Sequence, residues 1–296
     1  MKKQHHTVSE FYLRGFAGPA PKKGQADGFW VYRRGQGEPR FQPPETSSIR
    51  SNFYSYRGDD GIRHLDVEDA LGGLEGAAAP LVRRICSGHA AFTPQERTHM
   101  SFYIACAWTR TTQHRDAAVT LAEQAAKGKL SEFFTDEARM RQKAAEYERD
   151  TGVHVDCDGI REAIANGGLG LTPSEAGKVM FSLSVAPEVA AVIFGMRWVV
   201  LEAAPGTCFV TSDVPVVLAS QTSDAMWPEI AWGDRELEVT FPLDATHCLL
   251  LTHDDGRSGF VSCARVTVDA IVRRQARAAH NEVYAPRKSP IVARLL

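Results

Sequence analysis

The sequence predicts an α+β fold, with a mixed or antiparallel sheet built from N- and C-terminal strands and packed by a central group of helices. Three observations predict it. Aromatic and β-branched runs lie near both ends, a three- and four-residue apolar period runs through the middle from Asp66, and two Thr-Pro-x-Glu helix starts stand at Thr93 and Thr172. Terminal strands with helices between them give one α+β domain over 1–296, with N-terminal strands in 1–60, a helical region in 66–193, and C-terminal strands with a closing helix in 196–296.

The first segment opens on a short aromatic run, Phe11 to Phe16, which Gly15 and Gly18-Pro19 end. Phe29-Trp30-Val31-Tyr32 has the composition of a strand, and the turn Arg33 to Gly37 returns it through Arg40-Phe41 as a hairpin. Ser51 to Tyr56 is a second aromatic strand.

From Asp66 the period changes. Val67, Ala70, Leu71, Leu74, Ala78, Leu81 and Ile85 trace one buried stripe of a helix, which Gly72-Gly73 weakens by roughly 2 kcal/mol relative to two alanines. Thr93-Pro94-Gln95-Glu96 is a capping box, in which Thr93 accepts from an exposed N–H, Pro94 suits the first helical position and Glu96 reaches back. A long helix starts there, with Met100, Ile104, Ala107, Trp108 and Thr111 on its apolar side, and helical propensity continues with breaks to Arg149. Thr172-Pro173-Ser174-Glu175 repeats the box before a helix of about 20 residues.

In the last third, Arg197 to Leu201, Cys208 to Thr211, Val239 to Phe241 and Cys248 to Thr252 are short β-type runs that suggest an antiparallel meander. Val266 to Ala279 reads as a closing helix and Val283-Tyr284 as a final strand. The economical arrangement joins the terminal strands into one sheet.

Composition narrows the function classes. With 44% hydrophobic and 24% charged residues, the chain falls in the ordinary globular range, which excludes disordered and fibrous classes. A formal net charge of −2 leaves no global basic field for loose nucleic-acid binding, although a local basic groove remains open. No signal-peptide-length apolar run follows Met1-Lys2-Lys3, and no stretch approaches about 18 consecutive apolar residues, so the expectation is a cytoplasmic protein without a membrane partner. The six cysteines are widely spaced, with no C-x-x-C pair. Reduced core cysteines and no structural zinc site are therefore expected.

No phosphate-binding glycine loop, Rossmann fingerprint, G-x-S-x-G elbow or H-E-x-x-H occurs. Scattered polar groups remain. Glu68 and Glu75 fall on one helix face two turns apart, where they either hold a cation or an arginine or stand solvated. Arg110 and Arg115 bracket Thr-Thr-Gln-His in an apolar helical stretch. A buried guanidinium there needs an anion, which phosphate or the two glutamates would supply, as a ligand site or as a structural network. The spacing also resembles a short Arg-plus-His helix motif of helical ribonucleases. Ser212 and Asp213 sit at a strand end, and Pro215 forces Val214 away from helix. Asp213 either projects as a functional group or closes an Asx-type turn. His5 and His6 offer a general base or a metal ligand, or belong to a mobile terminus.

Taken together, the motifs resemble the bacterial domain-of-unknown-function family 4238. Its signature, His-His-Tyr-Val-Pro-x-Phe-Tyr-Leu-Arg-x-Phe, is similar to His5 through Phe16 here, with Ser9 in place of proline, a departure expected to loosen the start of the aromatic run. Phe53-Tyr54, Glu68 with Glu75, Arg110-Thr111 with Arg115, Thr211 to Pro215, Phe241-Pro242-Leu243 and Asn281 follow in the same order. The resemblance places relatives among mobile-element and phage-defence gene neighbourhoods, which implies an effector or toxin-like role.

The leading expectation is a single cleft lined by His6, Arg14, Glu68, Glu75, Arg110, Arg115 and Asp213, with Ser212 as a further ligand-binding residue. In the enzyme version Glu68, Glu75 and Asp213 hold a divalent metal, the arginines bind the phosphate of a nucleic acid or small molecule, and His6 moves a proton in phosphodiester cleavage. In the alternative, a non-catalytic sensing or interaction module, the arginine–carboxylate network only organises the core.

Overall fold

Short aromatic and β-branched runs of the chain build the strands, and segments whose apolar residues recur at three- and four-residue steps build helices. The computed structural model describes residues 4–51, 53, 56–57, 63–64, 66–89, 91–166 and 175–296. In chain order the first elements are β1 (Gln4–His6), α1 (Glu10–Leu13), β2 (Phe29–Arg33), β3 (Arg40–Gln42), β4 (Ile49–Ser51), β5 (Tyr56–Arg57), β6 (Arg63–His64) and α2 (Asp66–Cys86). The helical middle holds α3 (Pro94–Thr109), α4 (Thr112–Thr135), α5 (Glu137–Thr151), α6 (Cys157–Ala165), α7 (Glu175–Ser184) and α8 (Ala186–Gly195). After it come β7 (Arg197–Glu202), β8 (Thr211–Ser212), β9 (Val217–Ser220), β10 (Leu237–Pro242), β11 (His247–Thr252), β12 (Gly259–Ser262), α9 (Arg265–Ala278), β13 (Glu282–Ala285) and α10 (Pro290–Ala293).

The fold is α+β, with one mixed and one antiparallel sheet as its main strand layers. A five-stranded sheet runs β12-β7-β11-β10-β9, antiparallel except for the parallel β12–β7 pair. A four-stranded antiparallel sheet runs β3-β2-β13-β8, in which Val31 of the N-terminal hairpin faces Tyr284. The terminal strands therefore do meet, as the sequence reading expects. Of the late β-runs only β8 joins them; β7, β10 and β11 form the separate five-stranded sheet, which is covered on both faces. Trp198, Val200, Leu249 and Leu251 point into one core, while Val199, Leu201 and Cys248 point into a second core against α9.

Helix α2 begins where the period predicts, and its stripe Leu71, Ala78, Leu81, Val82 and Ile85 is buried while Gly72, Gly73 and Gly76 are exposed. The capping box at Thr93 is complete, with Glu96 N donating to Thr93 Oγ1 at 3.2 Å and Thr93 N to Glu96 Oε2 at 2.9 Å. Beyond Tyr103 α3 is buried on every side, so it is a central helix with no polar stripe in that half. It stops at Thr109. The Thr111 hydroxyl accepts from His114 N and caps α4, which leaves Arg110 at φ −84°, ψ −1° in the bridge region between the two helices.

The second box falls on Thr172 to Ser174, outside the described residues. The helix expected beyond it is two helices, α7 and α8, divided at Val185, with a proline in the first turn of α8 starting a new helix. By length and composition the segment 177–195 is apolar enough to cross a membrane, yet Val179, Val189, Ala190 and Ile193 pack into the protein interior. Of the strand expected over 51–56, Ser51 ends β4 and Tyr56 begins β5, and Asn52, Tyr54 and Ser55 lie outside the described residues.

Candidate functional site

A polar cleft of about 290 Å³ opens where the N-terminal segment, the 42–50 loop, the start of α4 and the β8–β13 pair come together. Thr7, Arg33, Gln42, Ser48, Arg50 and Thr112 line it, and Asp213, Asn281, Glu282 and Tyr284 close the far side. Ser48 adopts φ +55°, unusual for a residue with a side chain. Its hydroxyl accepts from Val8 N at 3.0 Å and lies 2.7 Å from Thr7 Oγ1, which pins the loop to the N-terminal segment. The charges divide unevenly. Arg33 pairs with Glu282 at 2.6 Å, whereas Arg50 has no carboxylate partner among the described residues. Thr112 is the first residue of α4, where unsatisfied N–H groups and the helix dipole favour an anion.

Behind the N-terminal wall lies a buried network. Arg110, almost fully enclosed, donates through one amino group to Glu75 Oε1 at 2.6 Å and through the other to Ser9 Oγ at 2.6 Å. Ser9 Oγ donates in turn to Glu75 Oε1 at 2.8 Å. Tyr103 stands beside this group, with its hydroxyl 3.4 Å from Ser9 Oγ, and burial pushes that phenol up from its ordinary range. Ser9 is the position at which the N-terminal signature departs from proline. The hydroxyl ties the start of α1 down where the departure was expected to loosen it.

The other sequence-predicted site residues distribute themselves as follows. His6 Nδ1 lies 3.1 Å from the Ser47 carbonyl at the cleft rim, and its Nε2 is 3.6 Å from Glu10. Arg14 is largely exposed, paired with Glu10 at 2.6 Å and 3.8 Å from Glu45, away from the buried network. Glu68 sits 3.7 Å from His5 Nδ1. Arg115 donates to the Phe53 carbonyl at 2.9 Å and lies over that ring. Ser212 bonds with Val214 and accepts from Gln275 at 2.7 Å. Asp213 lines the cleft, but its carboxylate accepts from the backbone N–H groups of His280, Asn281 and Glu282 at 2.9, 2.7 and 3.2 Å. Burial raises its pKa against these three bonds. Glu68, Glu75 and Asp213 do not share one metal-sized site, since each carboxylate serves a different partner.

Motifs distant in sequence do meet in the interior. Tyr12 stacks on Phe241 at 5.0 Å and shares a 2.8 Å hydrogen bond with Thr211, while at the surface Asn281 N reaches Asp213. Sequence reasoning missed Arg33, Gln42, Arg50 and Thr112, single polar residues in strands, loops and a helix start that no spacing rule gathers. It also missed a group of Cys86, Asp244 and His247, whose potential ligand atoms all lie within 4.8 Å of one another. Asp244 accepts from His247 N at 2.6 Å and from Thr246 N at 2.7 Å, and lies 3.1 Å from His247 Nδ1. Burial presses the Asp244 pKa upward, but these bonds outweigh it and hold the carboxylate down at about 2. The hydrogen bond to Asp244 in turn raises His247, while burial, ahead of the Asp244 charge, raises the Cys86 thiol.

A family model described as a protein of unknown function (DUF4238) matches residues 4–289. Neither a curated protein nor a solved structure matches the chain.

Proposed function

Since the chain belongs to the DUF4238 family, whose description names no activity, we propose a function from the cleft itself: it binds a small phosphate-bearing molecule, as a ligand-binding module. One observation carries the reading. Arg50, with no carboxylate partner among the described residues, lines the same cavity as the N-terminal residue of α4, so a phosphate there gains a guanidinium and a helix start together. The Gln42 and Asn281 amides and the Thr112 hydroxyl supply orienting hydrogen bonds. A cavity near 290 Å³ suits a small ligand, and a net charge of −2 argues against wide electrostatic capture of a polymer.

The carboxylates that phosphodiester cleavage in a defence setting would use already have other roles. Glu75 serves Arg110 and Ser9, and Asp213 serves three backbone N–H groups. Binding without cleavage is therefore the favoured reading, with the Arg110–Glu75–Ser9 network holding the N-terminal wall in place. Calorimetric titration of the full chain with inorganic phosphate, a nucleoside monophosphate and a short single-stranded RNA tests this. Phosphate and the nucleotide should bind, and Arg50→Ala should weaken both by about 10- to 100-fold, the worth of a charge-assisted hydrogen bond, without lowering the melting temperature. Equal binding by wild type and Arg50→Ala would overturn the site. Cleavage of the RNA with Mg²⁺ or Mn²⁺ that disappears in a folded Glu75→Gln variant would favour the nuclease instead.

A further inference from the structure

Cys86 is the last residue of α2, and Asp244 and His247 flank the turn between β10 and β11, so two elements separated by more than 150 residues in sequence present a thiol, a carboxylate and an imidazole to one point. All three side chains are half-buried, which lets an ion reach them while the surroundings exclude most competing water. The carboxylate is already fixed. Thr246 N, Thr246 Oγ1 and His247 N donate to Asp244 Oδ1 at 2.7, 2.9 and 2.6 Å, bonds that orient an acidic ligand before any metal arrives. The turn is itself held to the N-terminal segment, since Ala245 N donates to the Gly15 carbonyl at 3.0 Å. Opposite His247 in the β7–β11 register stands Glu202.

From this arrangement we infer that Cys86, Asp244 and His247 form a binding site for a borderline divalent metal ion, Zn²⁺ foremost, with one coordination position left to water or an outside ligand. The donor set makes the choice. Thiolate and imidazole together favour zinc over magnesium or calcium, which take oxygen ligands, and three protein ligands leave a tetrahedral ion one position short. On binding, the Cys86 thiol proton leaves to solvent and the sulfur lone pair bonds to the ion. The His247 ring frees a nitrogen lone pair by losing a proton or moving it to the other nitrogen, and Asp244 exchanges its contacts with the Cys86 thiol and the His247 ring for one metal bond. A nucleophilic role for Cys86 is disfavoured, because the thiol donates to the Asp244 carboxylate, which is held down at about 2 and is a poor proton acceptor, and burial raises the thiol. The site is distinct from the cleft, which none of the three residues lines, and along α2 Cys86 is 11 residues, roughly 16 Å of helix, from Glu75 of the buried network.

The test uses reduced, metal-stripped, full-length protein titrated with Co²⁺ and then Zn²⁺. One equivalent of Co²⁺ should produce a thiolate-to-cobalt charge-transfer band in the near ultraviolet, which Zn²⁺ abolishes by displacement, and Zn²⁺ should raise the melting temperature. Cys86→Ser should lose the band, and His247→Gln and Asp244→Asn should each weaken binding at least about tenfold. If Cys86→Ser does not fold, by circular dichroism, His247→Gln carries the comparison. Absence of stoichiometric binding tighter than about 100 μM would overturn the site. So would a band that survives intact in Cys86→Ser, which would trace it to another cysteine.

Discussion

Arg110 is a cation enclosed in the interior, and its neighbours explain how it is tolerated. Glu75 and Ser9 accept from its two amino groups, and the bridge conformation between α3 and α4 aims it at them. Removing the carboxylate takes away the ion pair that the buried guanidinium makes with Glu75. Glu75→Ala should therefore cost about 3 to 5 kcal/mol, toward the lower figure because Glu75 keeps some contact with water, and Ser9→Ala about 1 kcal/mol. Urea melts of the two variants check the ranking. His114 poses the opposite problem. Packed against Trp108 at 4.2 Å between centroids, it is held by burial at a pKa of about 4. Folding thus favours the neutral ring. Its contribution is complete above the unfolded value near 6.5 and is lost as pH falls through about 4, an effect of about 3 kcal/mol. His114→Phe should flatten the fall in melting temperature between about pH 6.5 and 4, and an unchanged slope would show that the ring does not sense the interior. Neither role is written in the local sequence. The Arg-Thr-x-x-x-Arg spacing marks Arg110 as notable, but only the packing says which anion it meets.

At the scale of elements, local rules account for what was legible. The box at Thr93 starts α3, the apolar period delimits α2, and aromatic content marks β2, all of them short-range effects of backbone satisfaction and burial. Elements defined by a partner were not legible. β9 follows Pro215 and looks like a turn, and β12 is a half-exposed edge strand with no alternation of its own. The cleft wall depends on one such partnership. Gly28 precedes β2, next to Phe29, which pairs with Gln42, and a Cβ on Gly28 would collide with the Gln42 carbonyl oxygen, a backbone atom that cannot swing aside. Gly28→Ala should push β2 and β3 apart at a cost of about 1 to 3 kcal/mol and weaken phosphate binding, since Gln42 lines the cavity. Thermal melts and the same titration measure both effects. A variant of wild-type stability would mean the hairpin yields more readily than close-packed strands do.

Across the whole molecule, the α+β class was legible because both ends and the middle carry different periods. The division into two sheets was not, since period says which face is buried and nothing about which strand lies alongside. The same limit explains the site. Asp213, Ser212 and Arg110 stand out within short motifs, whereas Arg33, Arg50 and Thr112 reach the cleft through the folding of separate segments, and Cys86 reaches Asp244 only through the docking of α2 on the β10–β11 turn.

The pairing of β2 with β13 also sets a timetable. Val31 faces Tyr284, and Tyr12 bonds to Thr211, so β2 has β3 early but lacks its second neighbouring strand, and Tyr12 its hydrogen-bond partner, until the chain has been made as far as those residues. At about 5 to 20 residues per second, the hairpin waits roughly 12 to 50 s for its neighbouring strand. During that interval Phe29, Val31 and the edge of β2 stay uncovered on the nascent chain, an unpaired apolar edge of the kind that chaperones shelter while a polypeptide is being made.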